Sequence, residues 1–369
     1  MHNSFFQRVL LPGFLFQSVI IGGGYATGRE LVEFFLSMGP IAGLLGMVVA
    51  TAAFSLVMAV AFELARLTMS YTYRHFFQQL LGKGWLLYEL GYFVMGLLVL
   101  AVIGSAAGEI VAQQFGIPAL AGTLGLMLLI GYLVFYPTAM IERVLALWSF
   151  VLYATYVLLV VMFLQRFGDA IPRALSAASD GPWLLNGIKY VGYNVSAVPV
   201  ILFCVMHMQS RRDALLAGAL GGPIAMVPAL LLLLPMIASY PGILSAPVPA
   251  DYLMQQLDSG LFQAFFYIVI FGTFVETGAA YIHAVNERIA EAAAERSLVL
   301  PRWYRPVLAL FALVLSIALA HFVGFVQLIS DGYGTLTWFF VLVFIVPLLT
   351  RGVWLVAQRP ALVTNVTSD

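Results

Sequence analysis

The stretch Ile20-Ile21-Gly22-Gly23-Gly24-Tyr25-Ala26-Thr27-Gly28-Arg29-Glu30 places three consecutive glycines, and then a charged pair, inside an apolar segment long enough to cross a membrane. Each glycine in a helix interior is about 1 kcal/mol less favourable than alanine. A backbone amide left unpaired in lipid costs several kcal/mol, so non-helical backbone persists at that depth only where protein buries it or a watery cavity reaches it. The stretch therefore predicts a break in the first helix and a binding site at the break. Close helix packing is the other use of small residues in membranes, but that pattern spaces them four apart, and here they are adjacent.

Outward from this stretch the whole chain reads as membrane-spanning. Hydrophobic residues make up 62% and charged residues 9%, with a mean hydropathy of +0.99, against about 25% charged in soluble domains. The formal net charge is zero and no basic surface stands out, which argues against nucleic acid as a partner and leaves a small-molecule solute and the lipid bilayer. The single cysteine, Cys204, rules out an intrachain disulfide and a cysteine-built metal site. The N-terminal apolar run is too long for a cleaved signal peptide and lacks its small-residue cleavage pattern, so it is expected to be the first span.

Apolar runs at about 8–36, 41–65, 85–113, 118–136, 141–165, 183–208, 213–237, 260–286, 303–323 and 325–350 are each long enough for a hydrocarbon core of about 30 Å. We refer to them as helices 1 to 10. The shortest connectors, at 37–40 and around Gly324, are where two runs could merge into one. Lys and Arg collect in cytoplasmic connectors. With the N-terminus inside, 13 of the 17 basic residues are cytoplasmic, only Arg166 and Arg173 lie outside, and Arg29 and Lys189 fall within spans. That alternation predicts ten spans with both termini cytoplasmic.

Helices 6 to 10 follow helices 1 to 5 at nearly constant spacing. Five is odd, so the second copy enters from the opposite face, the inverted repeat of many secondary transporters. The expected organisation is one all-α transmembrane domain over 1–369, with repeat 1 at 8–165, repeat 2 at 183–350 and a cytoplasmic tail at 351–369. Helix 6, the partner of helix 1, is then predicted to be interrupted within Tyr193-Asn194-Val195-Ser196-Ala197-Val198-Pro199. Its proline lacks a backbone donor, and Asn194 and Ser196 are placed to serve the freed groups.

With both breaks in view, the chain resembles the amino acid, polyamine and organocation transporter superfamily, with its LeuT-like five-plus-five inverted repeat. Within it the chain looks most like the YkvI-type membrane proteins, whose first helix carries Gly-x-Gly-aromatic-Ala-Ser/Thr-Gly-Gln/Arg-Glu; here that pattern is Gly22-Gly23-Gly24-Tyr25-Ala26-Thr27-Gly28-Arg29-Glu30. The resemblance implies a membrane carrier. It also implies that helix 8 hydroxyls and carbonyls at the helix 1 break bind sodium, so Thr273 and Thr277, with carbonyls of Ile21 and Gly24, are the expected ion site. No other cofactor is expected. Helix 5 lacks the lysine that some proton-coupled relatives use in place of sodium.

Residue by residue, the outer half of helix 1 is expected to start near Tyr25 and aim its first amides at the cavity, where a helix N-terminus suits a carboxylate. Expected substrate contacts are Gly22, Gly23, Gly24, Tyr25, Arg29, Tyr193, Asn194 and Ser196. Arg29 and Glu33 are four apart and pair along a helix; Arg29, Glu30, Glu33, Glu109, Lys189 and Asp331 are gate candidates, with Arg29 and Glu30 expected above the cavity and Lys189 a partner for Glu109 or Asp331. Glu276, mid-span in helix 8, is a candidate for proton or cation coupling, because a charge there is expensive and functional by default. Threonines that bond their own helix are the competing reading of Thr273 and Thr277. Glu63 and Glu89 are read as interfacial. No nucleotide loop, zinc-protease motif or nucleophile elbow is present. The expected function is secondary active transport of a small polar, amino-acid-like solute coupled to sodium or protons. A cation exchanger or ion pathway, or a membrane-embedded ligand sensor, is the alternative.

Overall fold

The computed structural model describes residues 4–133, 138–295, 298, 300, 301 and 303–358, with side chains described at all of these except 138–147, 149, 150, 291, 292, 294 and 295. The last residues of the expected helix 4 (134–136), the tail beyond 358, the side chain of Arg143, and Arg296, Arg302 and Arg359 of the charge count lie outside what is described. Within it every regular element is helical. Seven helical segments are long and apolar enough to cross a membrane, and the shorter apolar helices Phe6–Ile20, Ala119–Leu133 and Val151–Phe167 stand at expected spans 1, 4 and 5. The two doubtful connectors do separate helices: Gly39 (φ 93°) precedes helix 2 at Pro40–Thr68, and Gly324 (φ 86°) separates helix 9 at Tyr304–Val323 from helix 10.

The helices sort into two groups. Helix 2 packs most extensively on helix 7 (Arg211–Ala238), and helices 1 and 6 lie against this pair. Small residues permit that approach: a side chain on Gly218 would run into the Ala59 backbone, one on Gly222 into Ser55, and Ser55 donates to the Ala219 carbonyl at 2.9 Å. Such spacing, four apart, lets backbones meet where lipid supplies no hydrophobic drive. Helix 3 (Trp85–Phe115), helix 4, helix 8 (Gly260–Glu295) and helix 9 form the second group. A short amphipathic helix, Tyr73–Leu81, joins helices 2 and 3 and buries Phe76, Phe77 and Leu80.

Helix 1 is broken twice. The first part ends at Ile20; Ile21 (ψ 80°) and Gly22 (ψ −165°) are non-helical, and Gly23–Ala26 makes one further turn. Gly28 then takes the left-handed conformation, φ 77°, and Arg29–Phe34 resumes on a new axis. L-residues adopt that conformation only at a penalty, so Gly28 is the residue for this second break, where the sequence predicts continuous helix.

Helix 6 is interrupted differently. Trp183–Asn194 is α-helical, and Val195–His207 continues without a coil as 13 residues of 3-10 helix containing Pro199. Three residues per turn put Val200, Phe203 and Met206 in one row. Phe203 and Met206 are 49% and 55% exposed, whereas Ile201, Leu202, Cys204 and Val205 are buried. The interruption is a change of winding rather than a gap.

Candidate functional site

The two interruptions meet at a small cavity of about 20 Å³, room for little more than a water molecule, lined by Val19, Ile20, Gly22, Glu30, Met95, Val99, Tyr193, Asn194, Ser196, Ala197, Thr277, Tyr281 and Tyr333. It lies between helices 1 and 6 and is walled by helices 3, 8 and 10. Of the residues expected to touch a substrate, Gly22, Tyr193, Asn194 and Ser196 line it. Gly23, Gly24, Tyr25 and Arg29 do not.

Each displaced residue has a visible reason. Gly23 sits against Ile103, whose Cα would lie 2.9 Å from an added Cβ. Gly24 faces Glu30, whose Cγ would lie 2.8 Å from such a Cβ. Tyr25 is fully buried in the core. Arg29 is turned away from the cavity: it pairs with Glu33 at 3.1 Å and donates to the carbonyls of Leu244 and Ala246 at 3.2 and 3.3 Å. The second break explains the difference between Arg29 and Glu30. A left-handed residue between them and the glycines rotates the last part of the helix, so that Glu30 folds back to the first break while Arg29 faces the outer loop.

Glu30 is thus a cavity residue, not one placed above it. It is 3% exposed. Its Oε2 accepts from the Tyr193 hydroxyl at 2.6 Å, and its carboxyl takes a backbone hydrogen bond from Tyr25. The amide expected to await a substrate carboxylate is occupied by the chain's own carboxyl. On helix 6, Asn194 donates to the Tyr190 carbonyl at 2.9 Å and the Ser196 carbonyl accepts from Tyr88 at 2.9 Å. Tyr193 stacks on Tyr333 of helix 10, 4.6 Å between centroids, while Tyr190 packs among Phe34, Phe35 and Phe54, off the cavity.

The expected ion ligands come together only in part. The Thr277 hydroxyl points to the Ile21 carbonyl at 3.5 Å. Thr273 bonds its own helix, donating to Val269 at 3.0 Å, and the Gly24 carbonyl is taken by the Thr27 hydroxyl at 2.9 Å. Glu276 is partly buried and outside the lining, on the helix face of Gly272, which packs on Trp148 of helix 5. Glu109 is hydrogen-bonded within helix 3 to Gln113 at 3.5 Å, and Asp331 is exposed with Ser330 as its partner. Lys189 joins neither acid among the described ion pairs; its carbonyl accepts from Thr337 at 2.7 Å.

Two clusters flank the cavity. On the side of the helix 1 second break, the loop after helix 7 docks: Ala250 donates to the Thr27 carbonyl at 2.9 Å, and Asp251, 1% exposed, accepts from Gln114 and Gln255 at 2.9 Å each and from Tyr267. Burial pushes the Asp251 carboxyl above its ordinary range, against the effect of those three hydrogen bonds. At the other end, Glu63 and Arg66 pair at 2.8 Å within helix 2. Glu89, also read as interfacial, holds Arg288 of helix 8 at 3.3 Å. Arg288 is 7% exposed and lies 3.7 Å from the ring centroids of both Tyr73 and Tyr92. Nothing in the sequence ties those aromatics to Arg288, because they come from other elements. Met95, Val99, Tyr281 and Tyr333 of the lining were likewise unread; in spans rich in such residues, each looks like core.

No family model matches the chain. It is 26% identical over 216 residues to the uncharacterised membrane protein YkvI of Bacillus subtilis (strain 168), a match spanning 57% of this chain and 60% of that relative's length. Among solved structures, an inward-facing conformation of Mhp1 superposes with a TM-score of 0.54 at 17% identity, over 91% of this chain and 75% of that one. A closed conformation of Mhp1, described as a nucleobase-cation-symport-1 family transporter with bromovinylhydantoin bound, gives 0.53 at 16% identity, over 90% and 74%. The manganese transporter of Eremococcus coleocola gives 0.51 at 16% identity, over 92% and 77%. The chain is a multi-pass membrane protein with the ten-helix LeuT-like fold, akin in sequence to YkvI.

Proposed function

We propose that the protein is a secondary active transporter of the bacterial cytoplasmic membrane, moving a small, polar, amino-acid-like solute by alternating access coupled to sodium or protons. The observation that carries this reading is the small cavity, holding the buried carboxyl of Glu30, between the two interrupted helices 1 and 6, where transporter folds hold their substrates. The likeness in fold to Mhp1 and the manganese transporter supports it. In this reading repeat 1 spans 8–165, repeat 2 spans 183–350, both termini are cytoplasmic, and the group of helices 1, 2, 6 and 7 rocks against helices 3, 4, 8 and 9. Thr277 and the Ile21 carbonyl are the nucleus of an ion site, Glu276 serves coupling, and Arg29 with Glu33 latches the outer loop.

Counterflow in proteoliposomes tests it. Exchange of a labelled amino acid or amine against an internal pool is the expected result. Cation flux without solute exchange identifies an exchanger instead, and saturable binding without flux a sensor.

A further inference from the structure

Behind one wall of the central cavity lies a larger space. Between helices 3, 8 and 9 a cavity of about 180 Å³ is bounded by Phe93, Leu97 and Leu100 of helix 3, Ile282 of helix 8, and Phe311 and Ala312 of helix 9. Among the described residues, Tyr281 is the one that lines both cavities. Gly96 makes room for its ring, since a Cβ there would stand 3.1 Å from Tyr281 Cδ1. A single phenol ring thus separates a space for little more than a water molecule from a much roomier one.

Two observations indicate what the outer space takes. Apart from the Tyr281 hydroxyl, its side chains are all hydrocarbon, so water would find too few partners there; a dry apolar cavity near this size takes an apolar molecule instead. The space is also continuous with the bilayer-facing side of helix 9. Phe311 belongs to its wall and is 64% exposed, and Val307, Leu310 and Val314 beside it are 50–62% exposed. These residues lie inside the span Tyr304–Val323, one of the least buried in the molecule. In a multi-pass membrane protein such a face meets lipid tails.

We infer that this cavity is a binding site for the acyl chain of a bilayer lipid, which enters beside Phe311 and packs against the Tyr281 ring from behind. A chain so placed holds that ring where it lines the central cavity; a chain withdrawn leaves the ring space to move into. The lipid therefore regulates access to the central cavity, whatever solute that cavity admits.

The test uses the purified full chain in dioleoyl phosphatidylcholine vesicles doped with a phosphatidylcholine bearing a mid-chain diazirine, with photolabelled residues located by mass spectrometry. Leu100 and Ile282, 2% and 3% exposed, are out of reach of a chain that stays on the outer surface. The expected result is that both are marked along with Phe311. Ala312→Phe, which fills the space, should cut marking of Ile282 at least fivefold and leave that of the exposed Leu342 of helix 10 unchanged. Labels confined to exposed positions such as Leu310 and Val314 overturn the inference, as does marking of Ile282 that Ala312→Phe does not alter. If benzene raises the thermal midpoint while the lipid probe never marks Ile282, the space takes free hydrocarbon only; if Ile282 is marked only on dilution in excess lipid, the space belongs to a second copy of the chain. Either result also overturns it. Should Ala312→Phe fail to fold, the pattern of marking on the unaltered chain decides. Regulation is read with a thiol facing the central cavity, Ala197→Cys in a Cys204→Ser background. In a fluorinated surfactant, adding dioleoyl phosphatidylcholine should slow its labelling at least threefold, and Ala312→Phe should abolish that response; no slowing, or slowing that survives Ala312→Phe, removes the regulatory role.

Discussion

At the scale of single residues, the contact between Gly24 and Glu30 determines the character of the site. Gly24 has a helical role that alanine would normally fill better, yet a Cβ there would overlap the Glu30 side chain. Gly24→Ala is therefore expected to destabilise the protein by about 1–3 kcal/mol, as overpacking does, and to displace the carboxylate from the cavity. A lower thermal midpoint together with slower solute exchange in counterflow is the predicted outcome. Gly22→Ala is the comparison, since its Cβ would meet only Thr277 Cγ2, at 3.6 Å, and its midpoint should hold. Equal behaviour of the two variants would contradict the packing described. The sequence signalled that the helix breaks at this stretch, because three glycines in lipid need a reason. It did not show which neighbour used the room. With helical spacing carried unbroken through Gly28, Arg29 and Glu33 pair and Glu30 points elsewhere; a glycine that must be left-handed looks the same, in one sequence, as a glycine that merely packs.

Among the elements, the outer loop and the last part of helix 1 behave as one docked unit. Arg29 holds Leu244 and Ala246, Thr27 holds Ala250, and Asp251 is buried under Gln114 and Tyr267. Because burial raises the Asp251 carboxyl above its ordinary value, the docked state holds a proton more tightly than the undocked one. Docking is then strongest in acid, at pH below the ordinary carboxyl range, and weakens as pH rises through the raised value. Hydrogen exchange across Pro249–Leu257, corrected for intrinsic rates, should show protection falling with rising pH. Asp251→Asn should flatten that slope, and a slope unchanged in the variant would assign it to another group. This arrangement was beyond sequence reading for a plain reason: Asp251 lies in a connector, and its partners come from helices 3 and 8.

For the molecule as a whole, a chain of aromatic contacts joins the cavity to the end where Arg288 lies. Tyr281 lines the cavity and packs on Tyr92 at 5.9 Å, Tyr92 faces Arg288, and Tyr88 holds the Ser196 carbonyl. Arg288 binds helix 8 to helix 3 and to the short helix Tyr73–Leu81, and is therefore expected to close a route from that end to the cavity. Arg288→Ala leaves the partly buried Glu89 without its cation, which costs less than the about 3–5 kcal/mol of a fully buried pair, and should open the route. With Cys204→Ser as background, a thiol introduced by Ala197→Cys should then label faster from that end, and Arg288→Lys should restore only part of the closure, since lysine cannot lie flat between two rings. Unchanged labelling in Arg288→Ala would show that the route is closed elsewhere. The fold itself was open to sequence reasoning because two independent constraints, span length and the alternation of basic connectors, agreed on ten helices. The cavity wall was not, since it is assembled from apolar residues that any span could carry.

The winding of helix 6 has a geometric consequence. A 3-10 helix rises about 2.0 Å per residue and an α-helix about 1.5 Å. The 13 residues Val195–His207 therefore reach about 26 Å, where the same residues wound as α-helix would reach about 20 Å. The helix 6 to 7 junction, where Arg8 meets Asp213 at 3.4 Å, thus sits about 6 Å farther from the cavity than an α-helical version would place it. A change of pitch alone would move that junction by a full helical turn without breaking the helix.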